Sequence, residues 1–386
     1  MSKTVFLSGI LSSLLAFIAF FAASAPAGYQ PEDYSYDELR NIYTQDSSLW
    51  PAPHVDEGID WKELQAMPEN PFRNQDSLEA RTELGKILFF DPRLSASNQI
   101  SCSSCHEPER NWQDGRMAAL GHNHRVGKRN TPSVLNTWGV EPVFWDGRAA
   151  TLEELSLHPI ADPLEMNMDL EFLPDKLREI EGYPELFEAA YNDDQVTLER
   201  IASALAQFQR TVVSRSSDFD RFMRGNPTAM SDEALHGMHL FRTKARCINC
   251  HHGAFFSDGE FHNLGLHFYG RDREDLGRYD VTGDPADMGR FRTPLLRDVA
   301  FTAPYTHNGL VPSLEGMVSM YDAGMARPRP RPGLEDDPHF PVTSEILVPL
   351  ELTDEEKEAI VSFLHAISER PFRLRRPELP GRDQFN

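Results

Sequence analysis

Apolar residues recur at helical spacing in several separate stretches of the chain, and no run shows the sustained alternation of a half-buried strand. Thr197–Val213 puts Ile201, Leu205, Phe208 and Val212 on one stripe. Ser231 stands as an N-cap ahead of Leu235, Met238 and Phe241. Thr353 and Glu356 have the spacing of a capping box in front of Ile360, Leu364 and Ile367. A further helix is predicted around Leu78–Phe90. The pattern predicts a mainly α, loop-rich protein with little β.

The stretches between these helices differ in kind. Residues 28–75 are acidic, rich in tyrosine and proline and without clear period, and read as an extended N-terminal arm. Residues 326–341 alternate arginine and proline, which favours a solvated extended loop. Turn chemistry at Gly225-Asn226-Pro227 marks a boundary. The expected organisation is an arm at 28–75, an N-terminal half at 76–225 and a C-terminal half at 226–386. At the start, Lys3 is the only charge before an apolar run from Val5 to Ala25, and Ala25-Pro26-Ala27 has the form of a cleavage site. Residues 1–27 are therefore expected to be a secretory signal peptide, with the periplasm as destination and an uncleaved anchor as the alternative.

Charge narrows the partners. With 38 Lys and Arg against 60 Asp and Glu, the net charge of −22 argues against nucleic acid and suits an encounter with a basic soluble protein.

The cysteines change the picture most. There are four, Cys102, Cys105, Cys247 and Cys250, and they form two motifs, CSSCH and CINCH. Cys-x-x-Cys-His is the attachment signature of c-type haem. Cysteines three apart share one face of a helical turn, where both thiols can form thioethers with the two vinyl groups. The adjoining histidine then points its imidazole at the iron. A zinc site needs four converging ligands, and these motifs lie far apart in the chain; disulfide pairing is the remaining alternative. Two such motifs using every cysteine predict a dihaem c-type cytochrome, with His106 and His251 as proximal iron ligands.

Further motifs occur in a fixed order: LFFDPRLSASNQISCSSCH, RNTPSVLN, FWDGRAATLEE, DPLEM, LFRTKARCINCHHG, FRTPLLRDVAFTAPYTHNG and SLEGMVSMYDAG. Through them the chain, from about Leu84 to Ile367, resembles the bacterial dihaem cytochrome c peroxidases and their relative MauG. The resemblance implies two cytochrome c-like domains, each with one covalent haem c, and a calcium ion between them. It implies peroxide activation at the N-terminal haem and electron handling at the C-terminal one. Glu165, in DPLEM, matches the distal-pocket glutamate that moves a proton of hydrogen peroxide. Trp145, in FWDGR, matches a tryptophan that relays electrons between the haems. Pro159 matches a distal-pocket proline, whereas Leu155 replaces the usual glutamine. His122 matches the histidine that caps the N-terminal haem at rest in standard peroxidases, with His124 as a nearby competitor. Asn130, Thr302 and Pro304 match the calcium ligands, hard oxygen donors that suit that ion.

Met320 and Tyr321 compete for the distal side of the second haem. The alignment places Tyr321 there. A methionine marks the standard peroxidases and a tyrosine marks MauG. Neighbouring helical residues point about 100° apart, so only one can face the iron. A phenolate stabilises oxidised iron and a thioether the ferrous state. MauG also carries a tryptophan two residues before its second haem motif, where this chain has Ala245. The expected function is a periplasmic peroxidase that reduces hydrogen peroxide with electrons from a small periplasmic cytochrome c or copper protein. The alternatives are MauG-like oxidation of a partner protein and plain dihaem electron transfer. The family is often dimeric.

Overall fold

A computed structural model describes residues 34–333 and 335–381. The expected signal peptide lies outside the described residues. Among these, no helix is long and apolar enough to cross a membrane. The described chain is mainly helical: α1 (Tyr36–Tyr43), α2 (Glu79–Phe90), α3 (Leu152–Ala161), α4 (Leu173–Arg178), α5 (Tyr183–Tyr191), α6 (Leu198–Thr211), α7 (Asp218–Met223), α8 (Asp232–Arg242), α9 (Tyr279–Thr282), α10 (Leu314–Asp322) and α11 (Asp354–Ala366). Two strands of two residues each, β1 (Phe261–His262) and β2 (Phe291–Arg292), pair antiparallel.

The periodic stretches form the helices they predict. Ser231 accepts a hydrogen bond from the Ala234 amide, and Thr353 and Glu356 close a reciprocal capping box. Such caps satisfy amides that would otherwise be orphaned at the helix start. The α6 stripe is buried at Ile201, Leu205 and Phe208.

Two apolar cores follow. One gathers Leu84, Leu88 and Phe89 of α2, Tyr183 and Phe187 of α5, and Ile201, Leu205 and Phe208 of α6. The other gathers Leu235, Met238 and Phe241 of α8, Phe256, and Ile360, Phe363 and Leu364 of α11. Each fully buried Leu or Phe contributes about 1.5–3 kcal/mol. The central helix pair is built alike in both. Gly85 in α2 lies against the Ala204 carbonyl of α6, and Gly237 in α8 against the Ala359 carbonyl of α11. A Cβ would fall 1.9 Å and 1.8 Å from those oxygens, so only glycine permits either approach.

The ends of the chain cross over. The 28–75 segment, expected to be extended, contains α1, capped by a reciprocal Ser35–Glu38 box. Leu39, Tyr43, Trp50 and Leu64 are part of the core around α8 and α11. Arg242, 1% exposed, fixes this arm. It donates to Glu63 (Nε–Oε1 2.9 Å) and to the Tyr43 hydroxyl (3.0 Å). At the other end, Leu374 and Leu379 pack against the core around α2 and α6, and Arg93 donates to the Pro380 carbonyl at 2.9 Å.

Candidate functional site

Each Cys-x-x-Cys-His motif follows α2 or α8 and forms a short 3-10 turn, Cys102–Ser104 in one half and Cys247–Asn249 in the other. The histidine amide closes back on the first cysteine carbonyl, at 2.9 Å for His106 and 2.8 Å for His251. The imidazole is then fixed by its Nδ1, 3.0 Å from the Trp112 carbonyl in His106 and 2.9 Å from the Phe256 carbonyl in His251. Both accepting residues have left-handed backbone, φ 62° and 54°. With Nδ1 donating, Nε2 is the nitrogen left to bind a metal. Burial depresses the pKa of both imidazoles and favours the neutral, ligating form.

None of the four cysteines forms a disulfide. Burial pushes the thiols of Cys102, Cys105 and Cys247 up to about 12. Protonated thiols are poor free nucleophiles. Cys250 also lies close to Asp258 and His262. His262 Nε2 is 2.8 Å from Asp258 Oδ2, and the Asp258 amide donates to the Cys250 carbonyl at 2.8 Å, so this pair braces the attachment turn.

The second motif opens into a large cavity lined by Cys247, Cys250 and His251. Tyr321 lines it too, whereas Met320 is not among its lining residues. Burial, then the neighbouring Cys250, Cys247 and Asp258, raise the Tyr321 pKa. Trp145, Asn130, Thr302 and Pro304 line the same cavity. The Trp145 indole donates to the Asn130 carbonyl at 2.9 Å, and the Asn130 amide donates to the His307 carbonyl at 2.7 Å. The Asn130 side chain donates its Nδ2 to the Arg116 carbonyl at 2.8 Å, which leaves Oδ1 as the free donor atom for a cation.

Sequence reasoning did not single out three other residues here. Arg246 Nε, Arg292 Nη1 and His307 Nε2 are buried without a hydrogen-bond partner among the described residues, and all three side chains line the cavity. Burial lowers Arg292 to about 10 and His307 to about 3. The two arginine nitrogens are donors left unpaired, which is costly, and a ligand bearing carboxylates would satisfy them. A haem has two such propionates, so these donors, in a cavity also lined by Cys247, Cys250 and His251, fit a covalent haem. Arg292 and His307 lie within quoted motifs, but nothing local marks them, because the cavity assembles from distant segments.

The first motif faces a different environment. Glu165 is half-buried here. Burial raises its pKa, Asp162 raises it further, and Arg148 opposes the shift. Its charge in turn raises the pKa of both Cys102 and Cys105, which places it beside the attachment turn. Pro159, in the last turn of α3, accepts the Met166 amide at 3.1 Å and so folds the Glu165 loop back on the helix. Leu155 packs with Phe144 in a small apolar cluster. His122 is tied to this loop, its amide donating to the Glu165 carbonyl at 2.7 Å, and its buried Nδ1 lacks a partner among the described residues. His124 is exposed.

Comparison with known proteins identifies the family. The di-haem cytochrome c peroxidase family model matches residues 79–228. Methylamine utilization protein MauG of Methylophilus methylotrophus is 35% identical over 326 residues, covering 81% of this chain and 92% of that protein. Cytochrome c551 peroxidase of Nitrosomonas europaea is 39% identical over 237 residues, covering 61% and 71%. A solved MauG-like protein associated with microbial copper homeostasis superposes with a TM-score of 0.67 at 29% identity, covering 81% of this chain and 95% of that one. The chain belongs to the family of dihaem cytochrome c peroxidases and MauG proteins.

Proposed function

We propose that the protein is a periplasmic dihaem peroxidase that reduces hydrogen peroxide to water with electrons from a small redox protein. The observation that carries this reading is Glu165, a half-buried carboxyl of raised pKa beside the first attachment turn. A protein that only transfers electrons has no use for a carboxyl of raised pKa there. The family is di-haem, and the two halves, 76–225 and 226–386, are the two haem domains. His106 and His251 ligate the irons. The haems supply the redox chemistry of peroxide cleavage.

The polypeptide supplies position and protons. Glu165, as carboxylate, takes the first proton from the peroxide oxygen nearest the site and returns it to the departing oxygen, which leaves as water. Pro159 holds the loop that aims this carboxyl. Leu155 offers no hydrogen bond to peroxide, so proton handling falls on Glu165 alone. His122 caps the first site at rest. With the haems bound, Trp145 would relay electrons between the halves, and Tyr321 would supply a further ligand to the second iron. Asn130, Thr302 and Pro304 hold a calcium ion, which stiffens the ground around Trp145. Donor-linked peroxide consumption by the haem-loaded protein tests the reading: two molecules of a reduced small cytochrome c should be oxidised per peroxide removed.

Tyr321 in the cavity wall also favours a second reading, MauG-like oxidation of side chains on a partner protein. Under it, peroxide would modify a tryptophan or tyrosine in a stably bound partner, and Tyr321→Met would abolish that modification.

A further inference from the structure

The chain has five tryptophans. Trp50 and Trp112 are buried in the cores, Trp61 packs against one of them, and Trp145 lines the cavity. Trp138 is half-buried and has no place in the chemistry above. Its ring meets the Phe255 ring edge-on, 5.1 Å between centroids at 77°. The tip of the Phe255 ring lies against Gly139, where a Cβ would fall 2.0 Å from it. The next residue is Phe256, whose carbonyl accepts the His251 Nδ1–H. A continuous path therefore runs from the proximal imidazole of the second haem site, through one hydrogen bond and one peptide unit, to two touching aromatic rings and solvent.

The turn that presents Trp138 is anchored. Thr137 and Val140, on either side, line the cavity. Asn136 exchanges hydrogen bonds with Ser214, from its Nδ2 at 2.5 Å and to its Oδ1 at 3.0 Å, and its amide donates to the Val212 carbonyl at 2.9 Å. Ser214 in turn donates to Asp298. Ala245, two residues before the second motif, offers no alternative: it is 4% exposed and carries no ring.

We propose that Trp138, backed by Phe255, is the electron port of the second haem site, the side chain through which a docked redox protein delivers its electrons. The port rests on the peroxidase reading. In each step one electron passes inward from the indole to the second site, whose oxidising equivalents come from hydrogen peroxide. The indole radical cation then takes one electron from the reduced donor, which is oxidised. Nε1 is buried without an acceptor among the described residues, so the proton stays on the ring during the transfer. Without a donor the indole instead loses two electrons and two protons and gains one oxygen atom from water. Those two electrons and two protons reduce one hydrogen peroxide to two waters.

The test uses the full chain loaded with both haems. Peroxide is added without donor, and tryptophan peptides are mapped by mass spectrometry. The added oxygen should appear at Trp138 ahead of Trp50, Trp61 and Trp112. In a second measurement, Trp138→Phe at unchanged haem content should lower turnover of reduced cytochrome c by about tenfold. Phe255→Leu, which leaves the indole in place, should lower it in the same direction. An unmodified Trp138 in a protein that consumes peroxide overturns the port and leaves the peroxidase reading intact. So does wild-type cytochrome turnover in Trp138→Phe. Failure of the wild-type protein to react with peroxide overturns the peroxidase reading and the port with it.

Discussion

The two halves solve the attachment problem the same way and then diverge. Each packs a helix glycine on a neighbouring carbonyl, Gly85 on Ala204 and Gly237 on Ala359. Each folds its motif into a 3-10 turn and ties the imidazole Nδ1 to the carbonyl of a left-handed residue. Away from the attachment turn the likeness ends. Beside Cys102 and Cys105 lies a half-buried acid of raised pKa. Around Cys247 and Cys250 lie a tyrosine and two arginines, each with one buried nitrogen left unpaired. The attachment turn thus specifies what is held, and its surroundings specify what is done. A carboxyl of raised pKa suits proton movement, while buried positive donors and a phenol suit anchoring and tuning an electron carrier.

The comparison can be broken at several points. The largest effect is expected at the crossed-over arm. Glu63→Ala strands the guanidinium of Arg242, 1% exposed, in the core around α8, and removing one partner of such a pair costs about 3–5 kcal/mol. Chemical denaturation should show this loss. Hydrogen exchange should place it in α8 and α11 rather than in α2 and α6. Next, Glu165→Gln should lower peroxide turnover by about a hundredfold, the low end for removing a general acid–base group, at unchanged haem content. Steady-state assay with a reduced donor checks it.

A smaller effect tests the shared scaffold. Gly85→Ala and Gly237→Ala each drive a Cβ into a backbone carbonyl, and the helices must separate. Overpacking of this kind costs about 1–3 kcal/mol, more than the gain of about 1 kcal/mol in helix propensity. Thermal unfolding should fall for both, and by similar amounts if the two helix pairs are equivalent.

The smallest effect concerns pH. Burial raises the Glu165 pKa above its unfolded value, so the native state binds this proton more tightly than the unfolded chain. That contribution is fully present below the ordinary carboxylate range and is lost as pH rises through the raised native pKa. Glu165→Gln cannot lose it. Its melting temperature should equal wild type in acid and exceed it progressively as pH rises, the reverse of its effect on activity.

Much of this construction was legible in the sequence, and the rest was hidden for physical reasons. Ser231 and the Thr353–Glu356 box announced α8 and α11 because capping is local. The Ser35–Glu38 box has the same spacing, but the proline-rich surroundings of a single short helix concealed α1. Glu165 and Trp145 could be proposed through their motifs. Arg246, Arg292 and His307 could not, because a buried unpaired donor is defined by distant segments meeting. The Arg242–Tyr43 contact spans 199 residues, a separation at which periodicity carries no information.

The most direct measurement is a single turnover. The haem-loaded protein is reduced by two electrons and mixed with one equivalent of hydrogen peroxide in a stopped-flow spectrometer. The account predicts rapid reoxidation of both haems in the wild type, and reduced haems persisting over the same interval in Glu165→Gln. A wild type that stays reduced, or a variant that reoxidises at the wild-type rate, would contradict it.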